Sequence, residues 1–254
     1  MPGALSLAAF GNTPCCNQVT AQVNFPPDWA SMRGAMASRP KHTTPRPAPR
    51  LYLITPPIAD ASAFSPQLTA ALGIGDVAAV LLRVAEADER TLINCAKALT
   101  VPVQAKDAAL LLDGHAELVA RAGADGAHLT GIAAFTEALD QLKPDRIAGA
   151  GGLVTKHDAM LAAEQGADYV MFGEPDAAGD RPAFVAIENR VAWWAEVFEI
   201  PCVGYVASLD EIAPLVAAGA DFIALGDFLW RDTHVITATI SEAGKYLRLP
   251  EPAS

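Results

Sequence analysis

Long apolar runs are missing from this chain. None approaches the ~20 consecutive residues that a membrane-crossing helix needs, so no membrane partner is expected. Basic charge is scarce: 18 Lys and Arg stand against 29 Asp and Glu, for a formal net charge of −11. Residues 1–49 hold Arg33, Arg39, Lys41 and Arg46 against Asp28, which leaves −14 on the remainder. A body of that sign repels nucleic acid and anionic lipid. An anionic small-molecule substrate would need a local island of positive potential. Cysteine is sparse as well. Cys15, Cys16, Cys95 and Cys202 form no Cys-x-x-Cys pair and no His/Cys cluster. Reduced thiols in a cytoplasmic protein are the simplest expectation.

Residues 1–49 also lack any sustained apolar period, and they hold eight of the 19 prolines. Such a segment buries too little surface to offset its ordering entropy, so a disordered tail is expected over 1–49. The apolar stretch at 4–10 has no basic residue before it and makes a poor secretory signal. Met32 and Met36 offer alternative translation starts within the tail.

What the chain does have is a phrase repeated four times. Gly75-Asp76, Gly123-Ala124-Asp125, Gly166-Ala167-Asp168 and Gly219-Ala220-Asp221 each precede an apolar run. The aspartates are 49, 43 and 53 residues apart, room for two strand–helix units per step. Four such pairs make eight strands, and eight parallel strands close into a (βα)8 TIM barrel over 50–254. Strands are expected at 51–55, 77–83, 108–112, 127–129, 146–149, 169–173, 201–206 and 222–226. Helical patterns fall at 64–73, 88–106, 114–122, 132–142, 155–165, 181–198, 209–218 and 235–247, with Pro102 expected to kink or end the second. In each repeat the glycine reads as a left-handed helix cap and the aspartate as a bottom-face residue that binds backbone N–H groups. The functional end is the opposite rim, where strands finish.

At that rim the informative residues are few. Arg83 ends the second strand, where a lone guanidinium fits an anion or a rim carboxylate. His128 ends the fourth and suits proton transfer near neutral pH, or a satisfied inner-layer position. Asp113 fits a substrate contact or a helix N-cap, and Asp227 a rim carboxylate or a cap. Gly149-Ala150-Gly151-Gly152 before a helix reads as a plain turn or as N–H groups offered to an anion, with Lys156 and His157 one turn on. Trp193 and Trp194 read as packing residues.

The order of elements across 50–230 resembles the thiamine phosphate synthase and thiazole tautomerase family. The resemblance is carried by Leu51-Tyr52-Leu53-Ile54-Thr55, Leu82-Arg83, Ala122-Gly123-Ala124-Asp125-Gly126-Ala127-His128-Leu129, Ala167-Asp168-Tyr169-Val170-Met171-Phe172-Gly173 and Ala218-Gly219-Ala220-Asp221-Phe222-Ile223-Ala224-Leu225. It implies Mg²⁺-dependent coupling of an aminopyrimidine diphosphate to a thiazole phosphate in thiamine biosynthesis. Diphosphate leaves, and the thiazole nitrogen captures a carbocation-like pyrimidine centre. It also implies a homodimer, since family members are often dimers. Carried onto this chain, it makes Arg83 and His128 the catalytic residues. Asp113, Thr130, Gly152, Gly173, Ser208, Gly226 and Asp227 become the substrate-binding rim. The usual metal ligands are not matched: Asp113-Gly114 stands where the family has Asn-Asp, and Thr130-Gly131-Ile132-Ala133 where it has Gly-Gln-x-Asp. Glu174-Pro175-Asp176 opens the loop that carries Thr-x-Thr-Lys in the family, and Gly226-Asp227 replaces a phosphate-pocket serine. A coupling enzyme, a tautomerase-like enzyme and a non-catalytic small-molecule-binding barrel all remain open on these residues.

Overall fold

The computed structural model describes residues 46–231 and 233–247. The tail expected over 1–49 lies, for residues 1–45, outside the described residues. Residues 46–49 lead without regular structure into the first strand.

Eight parallel strands close into one barrel in chain order, β1 (Arg50–Ile54), β2 (Val77–Leu82), β3 (Ala109–Asp113), β4 (Gly126–Thr130), β5 (Ile147–Gly151), β6 (Tyr169–Phe172), β7 (Cys202–Val206) and β8 (Phe222–Leu225). Closure is made by β1 against β8, with Leu51 opposite Ile223 and Leu53 opposite Leu225. The helices between them are α1 (Ala61–Leu72), α2 (Glu89–Gln104), α3 (Val119–Ala122), α4 (Ile132–Leu142), α5 (Lys156–Glu164), α6 (Phe184–Val197), α7 (Ile212–Ala218) and α8 (Thr233–Leu247). The sequence expectation of a (βα)8 barrel holds.

The strands are apolar on both faces because both faces are covered. Their period of two divides the residues into two cores. Leu51 and Leu53 of β1, Val80 and Leu82 of β2 and Leu110 and Leu112 of β3 face the helices. Tyr52, Ile54, Leu81, Leu111, Tyr169, Met171, Val203 and Tyr205 fill the barrel interior. Two of the helices expected whole are split. A 3₁₀ turn at Ala116–Leu118 precedes α3, and another at Leu209–Glu211 precedes α7. α6 starts at Phe184 rather than at 181, since Pro182 disfavours helical geometry in Arg181 before it. Pro102 does not end α2, which runs two residues further to Gln104. The bond the proline withholds belongs to the turn at Ala98, which is exposed, so water can replace it.

The repeated aspartates act as braces at the bottom of the barrel, each tying an even strand to the odd strand before it. Asp125 Oδ2 accepts from the Leu110 N–H at 2.7 Å, Asp168 Oδ2 from Ala148 N–H at 2.7 Å and Asp221 Oδ2 from Cys202 N–H at 2.9 Å. Asp76 departs from the set and accepts instead from the Arg50 guanidinium at 2.8 Å. The glycines divide in the same way. Gly123, Gly166 and Gly219 adopt positive φ after their helices, whereas α1 is capped by Gly73 at φ −82, so Gly75 is not a left-handed cap.

Candidate active site

Strand direction brings one set of side chains to the C-terminal rim. Arg83 follows β2, Asp113 and Thr130 end β3 and β4, His128 lies two residues below Thr130, and Glu174 and Asp227 follow β6 and β8. All six line one cavity of about 740 Å³. A second cavity of about 400 Å³ opens beside it, and Thr130, Glu174, Pro175 and Asp176 line both.

Arg83 stands between two carboxylates. Its Nε lies 3.4 Å from Asp113 Oδ2 and an Nη 3.5 Å from Asp227 Oδ1. Strong charge-assisted bonds are ~2.7–2.9 Å long, so both pairs are loose and the guanidinium can be recruited by an incoming anion. Neither carboxylate is a tight lock, since Asp227 is largely exposed. Arg181 shows the contrast. It meets Glu211 at 3.0 and 3.1 Å in a partly buried fork, and Glu211 also accepts from Ala207 N–H at 2.8 Å. That arginine ties a loop in place.

His128 is buried, and both ring nitrogens are engaged. Nδ1 lies 2.9 Å from the Tyr169 hydroxyl and Nε2 lies 3.1 Å from Glu174 Oε2. The Tyr169 hydroxyl also meets the Tyr52 hydroxyl at 2.8 Å. The result is a hydrogen-bonded chain of four side chains from the barrel interior to the mouth. Burial alone would lower the His128 pKa. The Glu174 carboxylate, by charge and by hydrogen bond, and Asp113 more distantly, raise it, against a smaller opposing effect of Arg83. The net shift is upward, so the imidazolium is favoured at neutral pH more than in a free histidine. Burial drives both tyrosines well above their ordinary range, which keeps both hydroxyls neutral. A protonatable imidazole fixed by a carboxylate on one side and a hydroxyl on the other can give or take a proton at the mouth.

A family model described as thiamine monophosphate synthase matches residues 51–229, most of the chain. The thiamine-phosphate synthase of Rhodospirillum centenum is 39% identical over 202 residues, covering 78% of this chain and 98% of that protein. The chain belongs to the thiamine monophosphate synthase family. The thiamine-phosphate synthase of Hyphomonas neptunium is 38% identical, over 73% of this chain and 88% of its own length. Among solved structures, a thiamine phosphate pyrophosphorylase from Pyrococcus furiosus superposes with a TM-score of 0.63 at 21% identity, covering 80% of this chain and 96% of that one. A 3-hexulose-6-phosphate synthase from Salmonella typhimurium reaches 0.57 at 14% identity, over 78% and 100%. At those identities the structures speak for the barrel and not for its chemistry.

The Mg²⁺ that the family uses finds no ready cage of protein ligands in this barrel. Among the described residues no three His, Cys, Asp or Glu side chains converge as a metal site. Two of the rim carboxylates, Asp113 and Asp227, both face the Arg83 guanidinium. Mg²⁺ is held by one or two carboxylates together with substrate phosphates, and Asp113 and Asp227 are the donors it would share with Arg83.

The other expected site residues divide. Gly152, at φ +58, and Gly173, at φ +93, line the 400 Å³ cavity with Thr130. Ser208 and Gly226 line neither cavity. The Ser208 hydroxyl binds Asp210, and a Cβ on Gly226 would strike the Tyr205 hydroxyl. The run 149–152 is not a loop: β5 extends to Gly151. Gly149 leaves room for the Tyr169 ring, and Gly151 for Glu174 and His128. Lys156 sits over the Trp193 ring, 4.3 Å from its centroid, rather than at the mouth. Trp194 is buried against Phe172 and Phe198, as packing predicts. Asp113 is the last residue of β3 and not a helix cap.

Three partners were not singled out by the sequence. Tyr52 and Tyr169 sit at inward positions of strands whose neighbours are Leu, Ile, Val and Met. A buried phenol normally finds a partner, and that was the available signal. Glu174 appeared only as the opening residue of the loop after the sixth strand. The structure pairs it with His128.

Proposed function

We propose that this chain joins an aminopyrimidine diphosphate to a thiazole phosphate at the C-terminal mouth. Arg83 draws an anionic group into the 740 Å³ cavity. The observation that carries this is its loose suspension between Asp113 and Asp227, at 3.4 and 3.5 Å, over that space. His128 holds or supplies a proton at Nε2, and Asp113, Thr130, Gly152, Gly173 and Asp227 shape the rim. In the step, the carbon–oxygen bond to diphosphate breaks, the leaving group carries off the electron pair, and a carbon–nitrogen bond forms to the thiazole.

The test is incubation of purified protein with both substrates, with and without magnesium, and detection of thiamine phosphate against an active relative. Arg83→Ala should lower kcat/KM about 100-fold, or ~2.7 kcal/mol of transition-state stabilisation. No product at any enzyme concentration removes the coupling reading. Unchanged kinetics in Arg83→Ala removes this assignment of Arg83.

One observation favours a second reading, proton transfer on a thiazole carboxylate phosphate without coupling. The His128–Glu174 pair at the cavity, a buried imidazole held by a carboxylate, suits acid–base work. Isomerisation of the thiazole alone, followed by NMR, separates the two. The same family reading carries a cytoplasmic location and a homodimer, the latter tested by sedimentation. Among the described residues no helix is long and apolar enough to cross a membrane.

A further inference from the structure

The barrel has a further cavity, of about 300 Å³, at the end opposite the mouth. Arg50, Ala109, Ile147, Tyr169 and Phe222, which line it, are the first residues of their strands. Inner layers of such barrels are ordinarily filled by bulky branched side chains. Here two neighbouring strands bring alanines instead. Ala79 of β2 stands beside Ala109 of β3 in register, and both face the barrel interior. Ala109, Ile147 and Phe222 are only partly buried, so the cavity opens at the bottom face. The polar groups around it are engaged elsewhere. The Arg50 guanidinium binds Asp76 at 2.8 Å and the Val77 carbonyl at 3.2 Å. The Asp168 carboxylate accepts from the Ala148 N–H at 2.7 Å and from Lys143 at 2.6 Å. Tyr52 and Tyr169 stand between this cavity and His128. Both line it, while their hydroxyls meet each other at 2.8 Å and the second meets His128 Nδ1 at 2.9 Å.

We infer that this lower cavity is a second small-molecule site, and that it takes a neutral, apolar aromatic molecule. The space suffices. Apolar cavities of about 150 Å³ already hold benzene, and ligand pockets begin at about 300 Å³. The wall sets the chemistry. Leu111, Val203 and the two alanines are apolar, and Phe222, Tyr52 and Tyr169 offer ring faces and edges to an aromatic guest. A charged guest would give up its hydration with no free partner to replace it. The guest packs against the two phenols that hold His128, so its presence should be felt at that imidazole. The inference goes beyond the reading of the mouth and does not depend on what is catalysed there.

The test titrates the whole chain with toluene and, separately, with benzoate, the same ring carrying a carboxylate. Binding is followed by NMR. Toluene should bind with a Kd below about 1 mM, and benzoate at least about tenfold more weakly. Intermolecular NOEs from toluene to the Ala79 and Ala109 methyl groups should locate it without any variant, and the His128 ring signals should shift on binding. Saturating inorganic diphosphate should leave the toluene affinity unchanged, which separates this site from the mouth. Ala79→Leu and Ala109→Leu each fill the space and should weaken toluene at least about tenfold, with their folds checked by circular dichroism. The inference is overturned if the wild type does not bind toluene at millimolar concentrations, or binds toluene and benzoate alike. It is also overturned if diphosphate displaces toluene, if the NOEs avoid both alanines, or if either folded variant keeps the wild-type affinity. Absence of thiamine phosphate formation together with intact toluene binding sinks the coupling reading and leaves this one standing.

Discussion

Replacing Asp168 by alanine should destabilise the barrel by about 2 kcal/mol, although the residue is far from the mouth. Its Oδ2 accepts from the Ala148 N–H at 2.7 Å and from Lys143 Nζ at 2.6 Å. Ala148 is fully buried near the start of β5, and the carboxylate that caps its N–H is partly exposed. Leaving that donor unpaired costs about 1–3 kcal/mol. The Lys143 pair is partly exposed and adds at most ~1 kcal/mol. For a barrel of this size about 2 kcal/mol lowers Tm by roughly 4–8 °C. Asp76→Ala is the internal control. It occupies the equivalent place in the repeat, but it is 71% exposed and its side chain meets only the Arg50 guanidinium, a contact worth about 0.5 kcal/mol. Urea titration at neutral pH, with m unchanged between variants, measures both. Asp125→Ala and Asp221→Ala should behave like Asp168→Ala, because each also removes a backbone N–H partner. Equal losses from Asp76→Ala and Asp168→Ala, or no loss from the latter, would show that the buried N–H contact is not what these aspartates contribute.

Three further outcomes follow from the site. His128 should titrate above 6.5 by NMR, and Glu174→Gln should bring its midpoint down, because burial then acts with less opposition. A pKa raised by folding stabilises fully below the unfolded value and loses that contribution as pH rises through the folded one. The stability gap between wild type and Glu174→Gln should therefore be wider at pH 6 than at pH 9, and a gap that widens with pH contradicts the pairing. Gly149→Ala should cost about 1–3 kcal/mol by chemical denaturation, since its methyl group overlaps the Tyr169 ring. Calorimetry with inorganic diphosphate should show at least tenfold weaker binding in Arg83→Ala, a difference of about 1.4 kcal/mol or more. Unchanged affinity means that the anion is held elsewhere.

Much of the barrel was legible because its signals are local. The span of α4 over 132–142 was readable to the residue, since an amphipathic period with Gly131 before it leaves little choice. The bottom-face role of Asp125, Asp168 and Asp221 was readable from their place between a helix cap and a strand. Asp76 was not separable from them, because its different partner, Arg50, is distant in sequence. Strand β5 was expected to end at Gly149, yet Gly151 is also a strand residue. Their small size serves Tyr169 and the His128–Glu174 pair, which arrive from other strands.

The amino-acid order alone determined eight strand–helix units and placed Arg83 and His128 at one rim of the barrel. These follow from periodicity, capping and strand direction, all set within a few residues along the chain. Only the closed barrel decided who meets whom. Tyr52, His128, Tyr169 and Glu174 lie on three strands and a loop, 46 residues apart in the case of His128 and Glu174. Whether the imidazole faces a phenol, a carboxylate or solvent depends on the register of those strands, and register is a property of the whole sheet rather than of any segment in it.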